Sequence, residues 1–179
     1  KVPAFRRFKP IISVLAVIAV LFAVRTVARN PVWKDNYTLF LTDVEHSPNS
    51  AKLRNAAGGE LFTQSTGESD EAKRQRMLQD AVGHLQAAIR IHPQYKNAHL
   101  LLGNVHNKLK NFDQSIAAYQ KALELDPNYE QARQNLGITY KDAGKYSGEQ
   151  KQQIQKALQY LSKAYEILPQ EYEVVRLLG

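Results

Sequence analysis

The chain has 179 residues and no cysteine, with 24 Lys plus Arg against 17 Asp plus Glu, a net charge of +7. The excess sits at one end: the first 34 residues hold seven basic side chains and no acidic one, leaving 17 of each sign in the remainder. A basic balance made this way is the flank of a membrane segment and argues against a nucleic-acid surface, so no nucleic-acid partner is expected, whereas the lack of cysteine separates no compartment from another.

Residues 1–9 form a basic flank, expected to be cytoplasmic, that contains Lys1, Arg6, Arg7 and Lys9. Ile11 to Val24 then runs without a charge, with Ser13 its one polar member, and continuing to Ala28 adds Arg25 and Thr26. A helix of that extent reaches about 27 Å, near the apolar thickness of a bilayer, with Arg25 stretched toward the interface. Trp33 and Tyr37 follow where an interfacial aromatic belt would lie. The expectation is a transmembrane helix over residues 10–29. A buried core helix and a cleaved export signal are the alternatives. The second predicts a mature N-terminus beyond Ala28, but neither Ala23-Val24-Arg25 nor Val27-Ala28-Arg29 offers a small-x-small cleavage site. Four basic residues precede the span and Arg25, Arg29 and Lys34 end or follow it. That bias places the N-terminal side in the cytoplasm and the rest in the periplasm or lumen.

Residues 30–48 read as a junction and half-repeat, in which Trp33 to Pro48 forms a lone helix with Phe40 at its packing position. Beyond it the chain is periodic. Pro48, Pro93, Pro127 and Pro169 each stand ten residues before a glycine, at Gly58, Gly103, Gly137 and Gly179. Proline cannot continue a helix and biases its predecessor out of the helical region, so each marks a helix end. This divides the chain into units at 49–95, 96–129 and 130–171, with the start of a fourth at 172–179. Glycine-to-proline spacing is 24 in the middle unit but 35 and 32 in its neighbours, surpluses of 11 and 8 residues. Both surpluses are polar, Thr66 to Arg74 and Tyr146 to Gln153, and each is expected to form a longer turn plus an extended second helix. They are either solvated hairpin tips or docking knobs.

The middle unit, Lys96 to Tyr129, carries Leu102-Gly103, Ala118-Tyr119, Ala122 and Pro127. It resembles the tetratricopeptide repeat (TPR), a helix-turn-helix of that length. Gly103 and Ala122 suit a close helix crossing, and Leu102, His106, Ile116, Tyr119 and Leu123 fall on inward stripes. The resemblance implies an all-α fold: the apolar helix followed by a right-handed TPR α-solenoid of antiparallel helix pairs. In such arrays the first helices line a concave groove. The corresponding positions are Asn55 and Phe62, then Asn97, Leu100, Asn104, Asn107 and Lys108, then Gln131, Gln134, Ile138 and Lys141. Amide side chains both donate and accept, so this face could hold an extended peptide backbone, or be simply a solvated surface. The TPR type that clamps a terminal carboxylate needs Lys or Arg where this chain has Asn55, Leu100 and Gln134, with Asn104 alone matching.

The junction Arg29-Asn30-Pro31-Val32-Trp33-Lys34-Asp35, with Thr38-Leu39-Phe40 and Ser47 to Lys52, resembles the segment joining membrane helix to first repeat in the transmembrane-and-TPR family. Members of that family are polytopic proteins linked to protein O-mannosylation, with a glycosyltransferase membrane half and a luminal TPR tail. Here Asp43 stands where later units have Ala88, Ala122 and Ala164. On that resemblance the chain is expected to be a fragment, and the apolar start of the fourth unit (Val174, Val175, Leu177, Leu178) is expected to self-associate.

No catalytic, cofactor or metal site is expected. His99 and His106 share a helix face at positions suited to core packing, no paired carboxylates or nucleophile elbow occurs, and Gly58-Gly59 lacks the lysine of a phosphate-binding loop. Asn36-Tyr37-Thr38 is a glycosylation sequon at an expected helix start. Two functions remain open: a membrane-anchored TPR scaffold for a protein partner, or the acceptor-presenting tail of a polytopic glycosyltransferase.

Overall fold

A computed structural model describes residues 4–149 and 153–179, with side chains from residue 11 onward. Lys1, the side chains of Arg6, Arg7 and Lys9 in the basic flank, and Gln150 to Gln152 of the second surplus lie outside that description. Nine α-helices occur among the described residues, with no strand. They are α1 (Ala4–Arg29), α2 (Asn36–His46), α3 (Ala51–Gly67), α4 (Glu71–Ile91), α5 (Lys96–Lys108), α6 (Phe112–Leu125), α7 (Glu130–Glu149), α8 (Ile154–Ile167) and α9 (Tyr172–Leu178), with a 3-10 turn at Asn30–Lys34 after α1. Within each unit α3 packs on α4, α5 on α6 and α7 on α8. Units join through α4 against α5, α6 against α7 and α8 against α9. The result is a TPR solenoid that begins on α2.

The prolines build one turn four times. The residue before each closes its helix by donating its N–H four residues back: Ser47 to Asp43 (2.9 Å), His92 to Ala88 (2.9 Å), Asp126 to Ala122 (3.0 Å) and Leu168 to Ala164 (2.8 Å). The same residue's carbonyl then accepts from the N–H three positions on, at Ser50, Tyr95, Tyr129 and Glu171. A fixed proline φ suits the second position of such a turn. A further tie was not foreseen. Six residues beyond three of the prolines a side chain meets the proline carbonyl: Arg54 Nε at 3.0 Å, the His99 ring at 3.0 Å and Arg133 Nη2 at 2.6 Å.

Two clusters make the core. Leu61, Leu78, Ala81, Leu85 and Val105 bind the first unit to α5, with Tyr37 and Leu41 of α2 packed on their edge. Leu100, Ile116, Tyr119, Leu136, Tyr140 and Val174 bind the later units together. Burying one Leu of this kind stabilises by about 1.5–3 kcal/mol. Small residues permit the crossings: a Cβ on Gly103 would stand 2.6 Å from the Tyr119 ring.

The apolar segment is helical as expected, and Ile11–Lys34 is long and apolar enough to cross a membrane, with none of its apolar window buried against the protein. The half-repeat begins later than expected. Trp33 is exposed in the 3-10 turn, Asp35 is extended and accepts the Thr38 N–H at 2.7 Å, and α2 starts only at Asn36. Its buried residue is Val44, while Phe40 is half-buried.

The surpluses also divide differently. In the first unit both helices lengthen, to 17 and 21 residues against 13 and 14 in the middle unit. In the third the second helix keeps 14 residues and the first takes the extension, reaching 20. The reason is packing. Gly144 lies so close to α8 that a Cβ would meet Leu161 at 2.7 Å, and Ser147 is buried beside it, so what reads as turn composition is a tight helix crossing.

Candidate functional site

The first helices of the three units contribute most of one cavity. Phe62 of α3, Asn104, Asn107 and Lys108 of α5, and Asn135, Ile138 and Thr139 of α7 surround a cavity of about 270 Å³, with Tyr119 of α6 behind them. Five residues expected in the groove therefore converge: Phe62, Asn104, Asn107, Lys108 and Ile138.

A hydrogen-bonded network forms the floor. Asn104 Oδ1 accepts from the Tyr119 hydroxyl at 2.6 Å and from Asn135 Nδ2 at 2.8 Å. Asn107 Nδ2 donates to Thr139 Oγ1 at 2.6 Å, and the fully buried Ser115 hydroxyl donates to the Gly103 carbonyl at 2.8 Å. Burial pushes the Tyr119 phenol up to about 12, against the opposing pull of Ser115, Thr139 and Asn135. It stays a protonated donor throughout the physiological range. With both acceptor sites of Asn104 occupied, what it can still offer a ligand is its own amide N–H groups. Exposed Lys108 adds further donors at the rim, and Phe62 and Ile138 supply apolar walls.

The other expected groove residues lie apart from this cavity. Leu100 is a correction: it is 5% exposed and belongs to the core cluster with Ala132 and Leu136, because the seam between α5 and α7 takes an apolar side chain there. Asn97 accepts from the Tyr129 hydroxyl at 3.0 Å, and Gln134 donates to Glu130 at 3.2 Å; both are exposed, as is Gln131. Asn55 is half-buried, and its Oδ1 has no hydrogen-bond partner among the described residues. Lys141 is committed to α9, pairing with Glu171 at 3.3 Å and Glu173 at 3.1 Å. Burial depresses its pKa, but those two carboxylates outweigh burial and hold it above the usual lysine value.

Tyr119, Asn135 and Thr139 are the lining residues that groove register missed. A signal for two of them exists: one repeat length earlier the positions of Asn135 and Thr139 hold Leu101 and Val105, so each marks a polar residue where the preceding unit is apolar. His99 and His106 are both buried, at 8% and 7% exposure.

Fold and groove together define a TPR array. Models of the tetratricopeptide repeat match residues 97–129 and 118–159, and the chain carries these repeats. Among curated proteins it is similar to Protein O-mannosyl-transferase Tmtc3 of Drosophila melanogaster, 30% identical over 115 residues, 64% of this chain and 11% of that protein. It is also 26% identical over 113 residues to Protein O-mannosyl-transferase TMTC3 of Mus musculus, covering 63% and 11% of the two chains. The chain thus spans about a tenth of the length of these relatives. Among solved structures, a thermophilic TPR protein in Thermus thermophilus superposes with a TM-score of 0.55 at 21% identity, over 93% of this chain and 92% of that one. A MamA protein superposes with a TM-score of 0.50 at 25% identity, over 74% of this chain and 62% of that one.

Proposed function

We propose that this chain is a membrane-anchored TPR module that holds an extended segment of a protein partner in its concave groove, on the non-cytoplasmic side of the membrane. The observation that carries the groove reading is the cavity over the middle unit: apolar walls at Phe62 and Ile138, a floor whose acceptors are engaged, and donors left to meet backbone carbonyls. Such a pairing suits an extended chain, which presents unpaired carbonyls and alternating side chains. For the anchor, α1 exposes Leu15, Leu21, Phe22 and Val24 to more than half their extent, an apolar surface that lipid would cover.

The groove is tested at physiological salt with reduced, carboxamidomethylated lactalbumin as an extended polypeptide, its native form, of the same side-chain charge, serving as control. The unfolded form alone should bind, and Phe62→Ala with Ile138→Ala should weaken it about tenfold while the array stays folded, its melting temperature lowered only by the packing Phe62 gives the first core cluster. Equal binding of native and unfolded forms would remove the groove reading. Protease protection of the array in sealed microsomes tests the side of the membrane: digestion from outside would place the repeats in the cytoplasm.

Similarity to the two O-mannosyl-transferases favours a second reading, in which the array presents acceptor proteins to a transferase site formed elsewhere. Transfer of the groove variants into such a relative should then lower mannosylation of protein acceptors while leaving the donor-sugar requirement unchanged.

A further inference from the structure

The turn between α5 and α6 has a lysine where the backbone favours glycine. Lys110 has a φ of 60°; its N–H donates to the Asn107 carbonyl at 2.8 Å, and the Asn111 N–H donates to the His106 carbonyl at 2.9 Å. This paired ending places its left-handed residue where glycine or asparagine is ordinarily found, since a Cβ crowds there. A side chain retained against that cost points to a use for the side chain.

The surroundings suggest which use. Because α4 and α7 are longer than the middle unit's helices, their tips rise on either side of this turn and enclose a notch of about 790 Å³. Lys108 and Lys110 stand in it, and neither has a carboxylate partner among the described residues. The other charges there are mostly engaged within the protein. Arg74 pairs with Glu71 and Lys145 with Glu173 at 3.1 Å; half-buried Asp142 is held above the usual carboxylate range chiefly by burial, against the pull of Lys141, the Asn107 amide and Lys145, and exposed Glu149 sits at the rim. Phe112 and Tyr146 add an aromatic wall, their ring centroids 5.6 Å apart, with the Lys110 ammonium 5.4 Å from the Tyr146 ring. Asn107 and Lys108 line both this notch and the groove cavity, so the two are continuous.

We propose that the notch between the tips of α4 and α7 docks an acidic segment of a protein partner, its carboxylates meeting Lys108 and Lys110 and a neighbouring apolar side chain resting on Phe112 and Tyr146. The inference rests on the reading of the array as a protein-binding module. It gives the two surpluses a role as walls that turn a ligand across the array at its short unit. Two cations without acidic partners beside aromatic faces match a carboxylate-rich segment in charge and in apolar contact.

The test uses the full chain in detergent micelles and a short fluorescent peptide containing several Glu and one Phe, with its Gln counterpart as control. Fluorescence anisotropy should show the acidic peptide binding about tenfold tighter at low salt, the difference shrinking as salt rises. Lys110→Gly should raise the melting temperature by relieving the strained φ and yet weaken the acidic peptide several-fold, and Lys108→Gln should add to that loss. A merely structural lysine would leave peptide binding untouched. Equal binding of the two peptides, still sensitive to Phe62→Ala, overturns the notch and leaves the groove standing; no binding of either overturns both. Tighter binding of a soluble inositol phosphate headgroup than of the acidic peptide also overturns it, giving the lysines to lipid.

Discussion

The Arg29 guanidinium donates to the Asp43 carboxylate across 2.7 Å, joining the last residue of α1 to the body of α2. Asp43 occupies the repeat position that holds Ala88, Ala122 and Ala164, each fully buried. In those units a small residue admits a neighbouring helix. At the start of the array an arginine from the apolar helix comes there instead, so a carboxylate replaces the methyl group. The pair is partly exposed, at 38% and 29%, which limits it to about 0–1 kcal/mol after solvent screening.

Asp43→Ala should therefore lower global stability by less than about 1 kcal/mol but loosen the joint. Limited trypsin digestion at Arg29 and Lys34 should accelerate several-fold while the urea midpoint of the array barely moves. Unchanged cleavage would mean that the 3-10 turn at Asn30–Lys34 holds the joint without the ion pair.

Two glycines in helices should respond with opposite signs. At Gly103 a Cβ would meet three carbons of the buried Tyr119 ring at 2.6–2.8 Å, and that ring is fixed through its hydroxyl to Asn104. Gly103→Ala should cost about 1–3 kcal/mol, the usual range for overpacking. Gly83, inside α4, has nothing within 4 Å of a built Cβ. Gly83→Ala should stabilise by about 0.5–1 kcal/mol through helix propensity. Denaturant midpoints measured on both variants check the pair, and the same sign for both would refute the packing account.

The turns were legible because proline acts locally: the same residue in the same register produces the same hydrogen bonds at Ser47, His92, Asp126 and Leu168. The path of the second surplus was not. Ser147 and Gly148 suit a turn and a close helix crossing equally well, and only the approach of Ala157 and Leu161 from α8 decides between them. Leu100 failed for a related reason, since periodicity gives its face of the helix but not which neighbour covers that face. Five groove residues emerged together because they share that face across successive first helices. The network behind them depends on Asn135 and Thr139, whose polarity stands out only when units are compared.

Acid should weaken the array through its histidines. Burial lowers the pKa of His106, whose Nδ1 has no partner among the described residues, and burial followed by the Arg54 charge lowers that of His84. A base whose folded pKa lies below its unfolded value takes up its proton more readily when unfolded. Its contribution is present in full above the unfolded pKa of about 6.5 and is lost as pH falls from there toward the folded value. The urea midpoint should fall between pH 7 and pH 5, a range set by that reference value, and His106→Phe together with His84→Gln should flatten the slope. A slope unchanged in the double variant would assign the acid sensitivity to carboxylates.

The Tyr119 hydroxyl is the member of the groove network that ties the second helix of the middle unit to its first. Removing it with Tyr119→Phe leaves the ring in place against Gly103 but takes one of two donors from Asn104 Oδ1, and should cost about 1–2 kcal/mol. Asn104→Ala removes the acceptor and also strands Asn135 Nδ2, so it should cost more. In a double-mutant cycle the two changes should couple by about 0.5–1.5 kcal/mol, since each abolishes the same 2.6 Å bond. Coupling within error of zero would mean that the hydroxyl is satisfied through Ser115 or Thr139 instead. Asn104 would then offer a ligand one acceptor site beside its donors, Asn135 holding the other, and the groove would lose part of the donor bias on which its preference for backbone carbonyls depends.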